Sequence, residues 1–177
     1  MLHAVGIMRG ENGTMSGVRA AFARVMLVML VGFLCTLPSA SAQDKTDQNG
    51  WEKDSAYNKF YNVSEYDDFK GVVEEIIEIT PLPGMAPGIG LKVRDQDKEM
   101  VEVQLGPKPF VKADGLGFKK GDKVKVKGVW AAIGGRDVFL ASKVKKGDDL
   151  ELKVRRTKDG TPYWTLTPDE LAREKSE

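Results

Sequence analysis

From residue 88 to residue 156, apolar side chains recur at every second position in short runs. Each run is stopped by glycine, proline or a polar turn. A period of two sends successive side chains to opposite faces, so these runs read as half-buried strands rather than helices. KVKVKGVWAAI (123–133) and VFLASKVKK (138–146) flank Gly134-Gly135-Arg136-Asp137, a hairpin signal. GIGLKVRD (88–95) and EMVEVQL (99–105) alternate likewise, with Gln96-Asp97-Lys98 as their turn. DLELKVRR (149–156) alternates again before the turn KDGTP (158–162), which leads to Tyr163-Trp164.

EYDDFKGVVEEIIEI (65–79) is less regular, because Val72-Val73 and Ile76-Ile77 bracket Glu74-Glu75, a spacing a helix also produces. Its β-branched content, Gly71 and the stop at TPLPG favour a strand with a bulge. GPKPFVKADGLGF (106–118) carries two prolines and three glycines, room for a helical turn but not a long helix. Three strands, a connector and two more strands follow the order of the OB-fold. The expected class is all-β, a small OB-like barrel of about five to six strands, with an open β-sandwich as the rival. Gly128 would permit the bend such a barrel needs.

The predicted organisation has four parts. Residues 1–42 are a signal peptide or uncleaved anchor, 43–64 an extended or partly disordered lead-in whose aromatics Trp51, Tyr57, Phe60 and Tyr61 can tack onto the domain, 65–166 the β-domain and 167–177 a charged tail. The tail is expected to start a short, frayed helix at Thr167 with Pro168 in its first turn. For the first part, Arg19 and Arg24 precede the apolar run VMLVMLVGFL (25–34), and Ala40-Ser41-Ala42 is a small-x-small exit. The run is shorter than the roughly 20 residues of a spanning helix. With its flanks, 20–38, it would reach a membrane as an anchor if left uncleaved. A start at Met15 would give a more ordinary signal.

His3 is the only histidine and Cys35 the only cysteine, and both precede the domain. That removes disulfides, imidazole bases, thiol nucleophiles and zinc or haem ligation by these residues from the domain's chemistry. There is no P-loop and no Ser-His-Asp set. Charge is polarised along the chain. Residues 43–105 hold 7 Lys+Arg against 14 Asp+Glu, and residues 106–177 hold 17 against 11.

Two groups are candidate sites. Lys123, Lys125 and Lys127 alternate with Val124 and Val126, so the lysines share an outer face. The ordinary reading is a solvated strand whose lysines discourage edge pairing; the sharper one is a partner surface for a polyanion or protein. Nucleic acid is not expected, because the strands at 88–95 and 99–105 lack the stacking aromatics that OB-folds use for it. The second group is Glu74, Glu75 and Glu78, with Glu65, Asp67 and Asp68 before it. Carboxylates suit hard cations, iron included, although the ordinary reading is again a solvated strand. A regular strand would put Glu74 and Glu78 on one face and Glu75 on the other. Gly84 to Gly90 reads as a structural loop, and Trp130, Tyr163 and Trp164 as core or capping aromatics. No cofactor is expected beyond weak iron binding through those carboxylates.

FKGVVEEI, PGMAPGIGLKV, VEVQLGP, GFKKGDKVKVKGVW, ASKVKKGD and LKVRRTKDGTPYW, in that order, span Tyr66 to Trp164. The string resembles a family of exported bacterial OB-like domain proteins, and within it the MamS-like magnetosome-associated proteins. The resemblance implies a membrane-associated, non-enzymatic protein that influences magnetite crystal growth and shape. It places the domain on the exported side of the magnetosome membrane or in its lumen, with magnetosome proteins or the mineral surface as partners. Many relatives carry histidine where this chain has Gly90 and Gln104, which puts any ligand role of those positions in doubt here. Alternatives from other classes are a periplasmic binding module for a protein or oligosaccharide, and a carboxylate-dependent hydrolase.

Overall fold

The alternating runs become six strands: β1 (Tyr66–Ile79), β2 (Gly88–Asp95), β3 (Met100–Pro107), β4 (Lys123–Ile133), β5 (Arg136–Lys146) and β6 (Leu150–Lys153). The computed structural model describes residues 49–176, which fall within the unit Gln43–Glu177. The expected targeting segment at 20–42, and residues 43–48 of the lead-in, lie outside the described residues. Among the described residues, no helix is long and apolar enough to cross a membrane.

The sheet runs β3-β2-β1-β4-β5-β6, with a further parallel pairing of β3 to β5 through Val103↔Phe139 and Gln104↔Leu140. β1, β2, β3, β5 and β4 therefore close into a ring, and β6 hangs outside it on β5. β1 is long because it serves two neighbours: residues 66–72 pair with β4 and residues 71–79 with β2. The chain breaks register at Lys127/Gly128, where a Cβ on Gly128 would lie 2.1 Å from the Leu140 carbonyl oxygen. Only glycine allows that approach, so Gly128 sits at the irregularity of β4. Gly134 and Gly135, both at positive φ, form the two-residue turn between β4 and β5. The connector after β3 holds only a short 3-10 turn at Ala113–Gly115.

β4 alternates at Val124 and Val126, whereas β5 is buried without a break from Val138 to Ser142. Val73, Leu91, Val93, Val103, Val126 and Val144 are fully buried, with Phe139 and Leu140 from β5 between them. Each such side chain contributes roughly 1.5–3 kcal/mol relative to exposure.

The described part of the lead-in is tacked onto the domain by its aromatics. Trp51 and Tyr57 are fully buried, and their rings meet edge-on at 4.7 Å. Trp51 Nε1 donates to the Ala86 carbonyl at 2.8 Å, and the Trp51 carbonyl accepts from Trp164 Nε1 at 2.8 Å. The two tryptophans lie against Gly88 and Gly106, where β2 begins and β3 ends. The aromatics were legible in the sequence but their seat was not, because the seat for Trp51 is made by residues far along the chain.

The C-terminal run is shorter than read. The N–H groups of Val154 and Arg155 both donate to the Ser142 carbonyl, which ends the β6 ladder, and Arg155 then bridges Pro162. The tail forms α1 (Pro168–Ser176). Thr167 and Glu170 cap it reciprocally: Thr167 N–H donates to Glu170 Oε2 and Glu170 N–H to Thr167 Oγ1. Rather than fraying free, α1 is tied to the domain by Arg156 Nε donating to Glu174 at 2.6 Å.

Candidate functional site

β4 presents its lysines as expected. Val124 and Val126 are buried while Lys123, Lys125 and Lys127 face outward. Register then adds what one strand alone does not reveal. Lys125 lies opposite Lys70 on β1 and Lys145 on β5, and Lys145 lies opposite Glu151 on β6. Lys127 lies opposite Asp68 on β1 and Lys143 on β5, and Lys143 opposite Lys153 on β6. Directly opposed residues share a face, so these form two parallel cross-strand rows on one surface.

The rows are short of carboxylate. Asp68 takes Lys125 at 2.9 Å. Glu151 is shared by Lys145 at 2.6 Å, Lys143 at 3.1 Å and Lys153 at 3.8 Å. Lys70, Lys123 and Lys127 make no salt bridge among the described residues. The two rows thus set six lysines against two carboxylates, and opposed like charges cost stability. The hydrogen bond from Lys125 holds the Asp68 carboxyl below its usual range, and that from Lys145 does the same for Glu151. Lys145 is raised in turn by its hydrogen bond to Glu151.

The acidic group is arranged differently from a regular strand. β1 carries its bulge between Val73 and Glu75, so Glu74 is the extra residue. Glu74 pairs with Arg94 and Glu75 with Lys92, and Arg94 and Lys92 share a face of β2. The bulge therefore turns Glu74 and Glu75 to one side, where a regular strand would have opposed them. Glu78, three positions on, takes Lys108 at 2.6 Å instead. Lys120 adds a second cation to Glu74 at 3.7 Å. The Lys92 ammonium holds the Glu75 carboxyl below its usual range. Each of the three glutamates thus has its own basic partner, and among the described residues no three Asp, Glu, His or Cys gather to hold a metal.

Gly90 and Gln104 prove to be register partners across the β2–β3 hairpin. Gln104 is buried, its Nε2 donates to Glu102 at 2.8 Å, and its Oε1 has no partner. A Cβ at Gly90 would lie 2.8 Å from the Val103 carbonyl oxygen, so a side chain there requires the backbone to shift. Tyr163 and Trp164 are buried as capping aromatics, whereas Trp130 keeps 38% of its surface and donates to Asp67 at 3.2 Å.

Sequence reasoning missed Arg155. It is buried, with its guanidinium 4.7 Å from the Trp164 ring, 5.0 Å from Tyr61 and 5.7 Å from Tyr57. Nη2 donates to Asn58 Oδ1 at 2.8 Å and Nη1 to the Gly160 carbonyl at 3.3 Å. Desolvation lowers its pKa and raises that of Tyr57 to about 12. The only signal in the sequence was the paired arginine of the LKVRR run, which reads as surface charge.

Residues 65–151 match the model of the MamS/MamX magnetosome protein family. No curated protein matches the chain. The matched segment runs from just before β1 to the second residue of β6 and so takes in the whole strand ring. By that match, the β-domain from residue 65 to residue 151 belongs to the MamS/MamX magnetosome protein family.

Proposed function

We propose that this is a non-enzymatic, magnetosome-associated protein that influences the growth, size and shape of magnetite crystals. The family match over residues 65–151 carries the magnetosome association. The ring of β1-β2-β3-β5-β4, closed by a parallel β3–β5 pair, is in this reading a small OB-like barrel delivered to the exported side of the magnetosome membrane. Glu75 and Glu78 keep more than half their side-chain surface open. Iron or a mineral face would reach Glu74, Glu75 and Glu78 by competing with their lysine and arginine partners, through many weak contacts that add up.

Electron microscopy of cells lacking the gene, beside a complemented strain, tests the reading. Small or misshapen crystals in intact vesicles support it, and normal crystals overturn it. Iron titration of the Glu74/Glu75/Glu78→Gln variant tests the carboxylates separately: binding equal to the parent removes them from the mechanism. The lysine rows favour a second reading, a binding module for a partner protein. A salt-sensitive pull-down of that partner, lost with Lys123/Lys125/Lys127→Ser, would support it.

A further inference from the structure

One of the lysine rows leads somewhere. Lys143 and Lys153 stand at the edge of a cavity of about 450 Å³, whose wall they share with Arg155, Arg156 and Lys158. Two carboxylates also line it, Asp159 and Glu174. Both are already engaged by Arg156, at 3.9 and 2.6 Å. Five cations against two carboxylates leave the wall three charges positive. Glu151, which offsets Lys143 and Lys153 from outside the cavity, is itself divided among three lysines.

Arg155 makes the imbalance significant. It is 3% exposed and its guanidinium stays charged, yet no carboxylate pairs with it among the described residues. Aromatic faces and two neutral acceptors hold it in place. A buried cation without an anion is costly, and a cavity wall is where an external anion can supply the missing charge. Guanidinium forks match phosphate oxygens in pairs, and ammonium groups add charge without directional demand. The row Lys127–Lys143–Lys153 raises the local concentration of anions at the mouth.

We propose that this cavity beside β6 is a binding site for a phosphate-class oxyanion, held by Arg155, Arg156, Lys153 and Lys158. The proposal stands apart from the crystal-growth reading and survives its failure. The test uses the full chain in neutral detergent, in a low-salt buffer free of phosphate, with inorganic phosphate titrated calorimetrically. Lys153→Gln/Lys158→Gln is the working variant, because both side chains are exposed and Arg155 stays in its aromatic seat. Phosphate affinity should fall at least tenfold in that variant and remain unchanged in Lys92→Gln, whose side chain does not line the cavity and whose strand, β2, pairs with neither β5 nor β6. A second arm uses vesicles of neutral phosphatidylcholine with or without phosphatidate. Binding that needs phosphatidate and fails in the double variant identifies a lipid headgroup as the source of the phosphate, whereas binding of the free ion alone identifies a soluble one. No binding in either arm, or equal binding by parent and double variant, overturns the proposal.

Discussion

The two charged faces of the sheet use the same residue types and reach opposite electrostatic states. On β1 and β2, Glu74 and Glu75 each meet a cation from the neighbouring strand. On β4, β5 and β6, lysine lies opposite lysine, and one carboxylate, Glu151, serves three of them. The first face is satisfied by the fold itself. The second is left with positive charge that folding does not neutralise, which is the condition a surface needs to attract an outside anion. Counting charges along the chain does not distinguish these cases, whereas register does.

The comparison breaks most sharply at Glu151. Glu151→Lys should destabilise the chain by roughly 2 kcal/mol, since it removes a shared anion and adds another opposed cation. Urea unfolding at low and at high salt checks this, and salt should recover most of the loss. Glu151→Gln should cost less, about 1 kcal/mol, and should flatten the acid limb of the stability curve. The sign follows from the depressed carboxyls of Glu151, Asp68 and Glu75. Their contribution is complete above the unfolded value of about 4 and is lost as pH falls through the lower folded value. Melting measured from pH 6 downward should show the parent losing more stability than the variant.

Smaller effects sharpen the contrast. Lys127→Gln should move stability by no more than a few tenths of a kcal/mol, because Lys127 faces Lys143 on one side and Asp68 on the other. Lys92→Gln, the matching change on the acidic face, should lower stability or leave it unchanged. Smallest of all, a double-mutant cycle on Lys92 and Glu75 should return a coupling near the limit of detection, since both side chains are well exposed. A large coupling there would mean that the acidic face is more than a set of private surface pairs.

The lessons for reading the sequence follow from particular residues. Gly134-Gly135 and the β2–β3 turn were legible because local chemistry fixes them. A bulge within residues 65–79 was legible, but neither its place at Glu74 nor the side to which it turns the glutamates, both of which depend on the partner strand. Lys143, Lys145 and Lys153 looked like unrelated surface charges until register placed them beside the β4 lysines. Arg155 was invisible, because Tyr57, Asn58 and Arg155 meet only after the ring has formed.

The bond from Trp164 to the Trp51 carbonyl joins positions 113 residues apart. A chain made from its N-terminus onward therefore carries Trp51 and Tyr57 for most of its synthesis before their seat exists. The ring's own hairpins are local, whereas this closure spans nearly the whole domain and has to come late. Until Arg155 and Trp164 have emerged, the nascent protein shows the outside a set of large aromatics that the finished one hides. The final stretch of translation thus decides whether the molecule is released sealed or sticky.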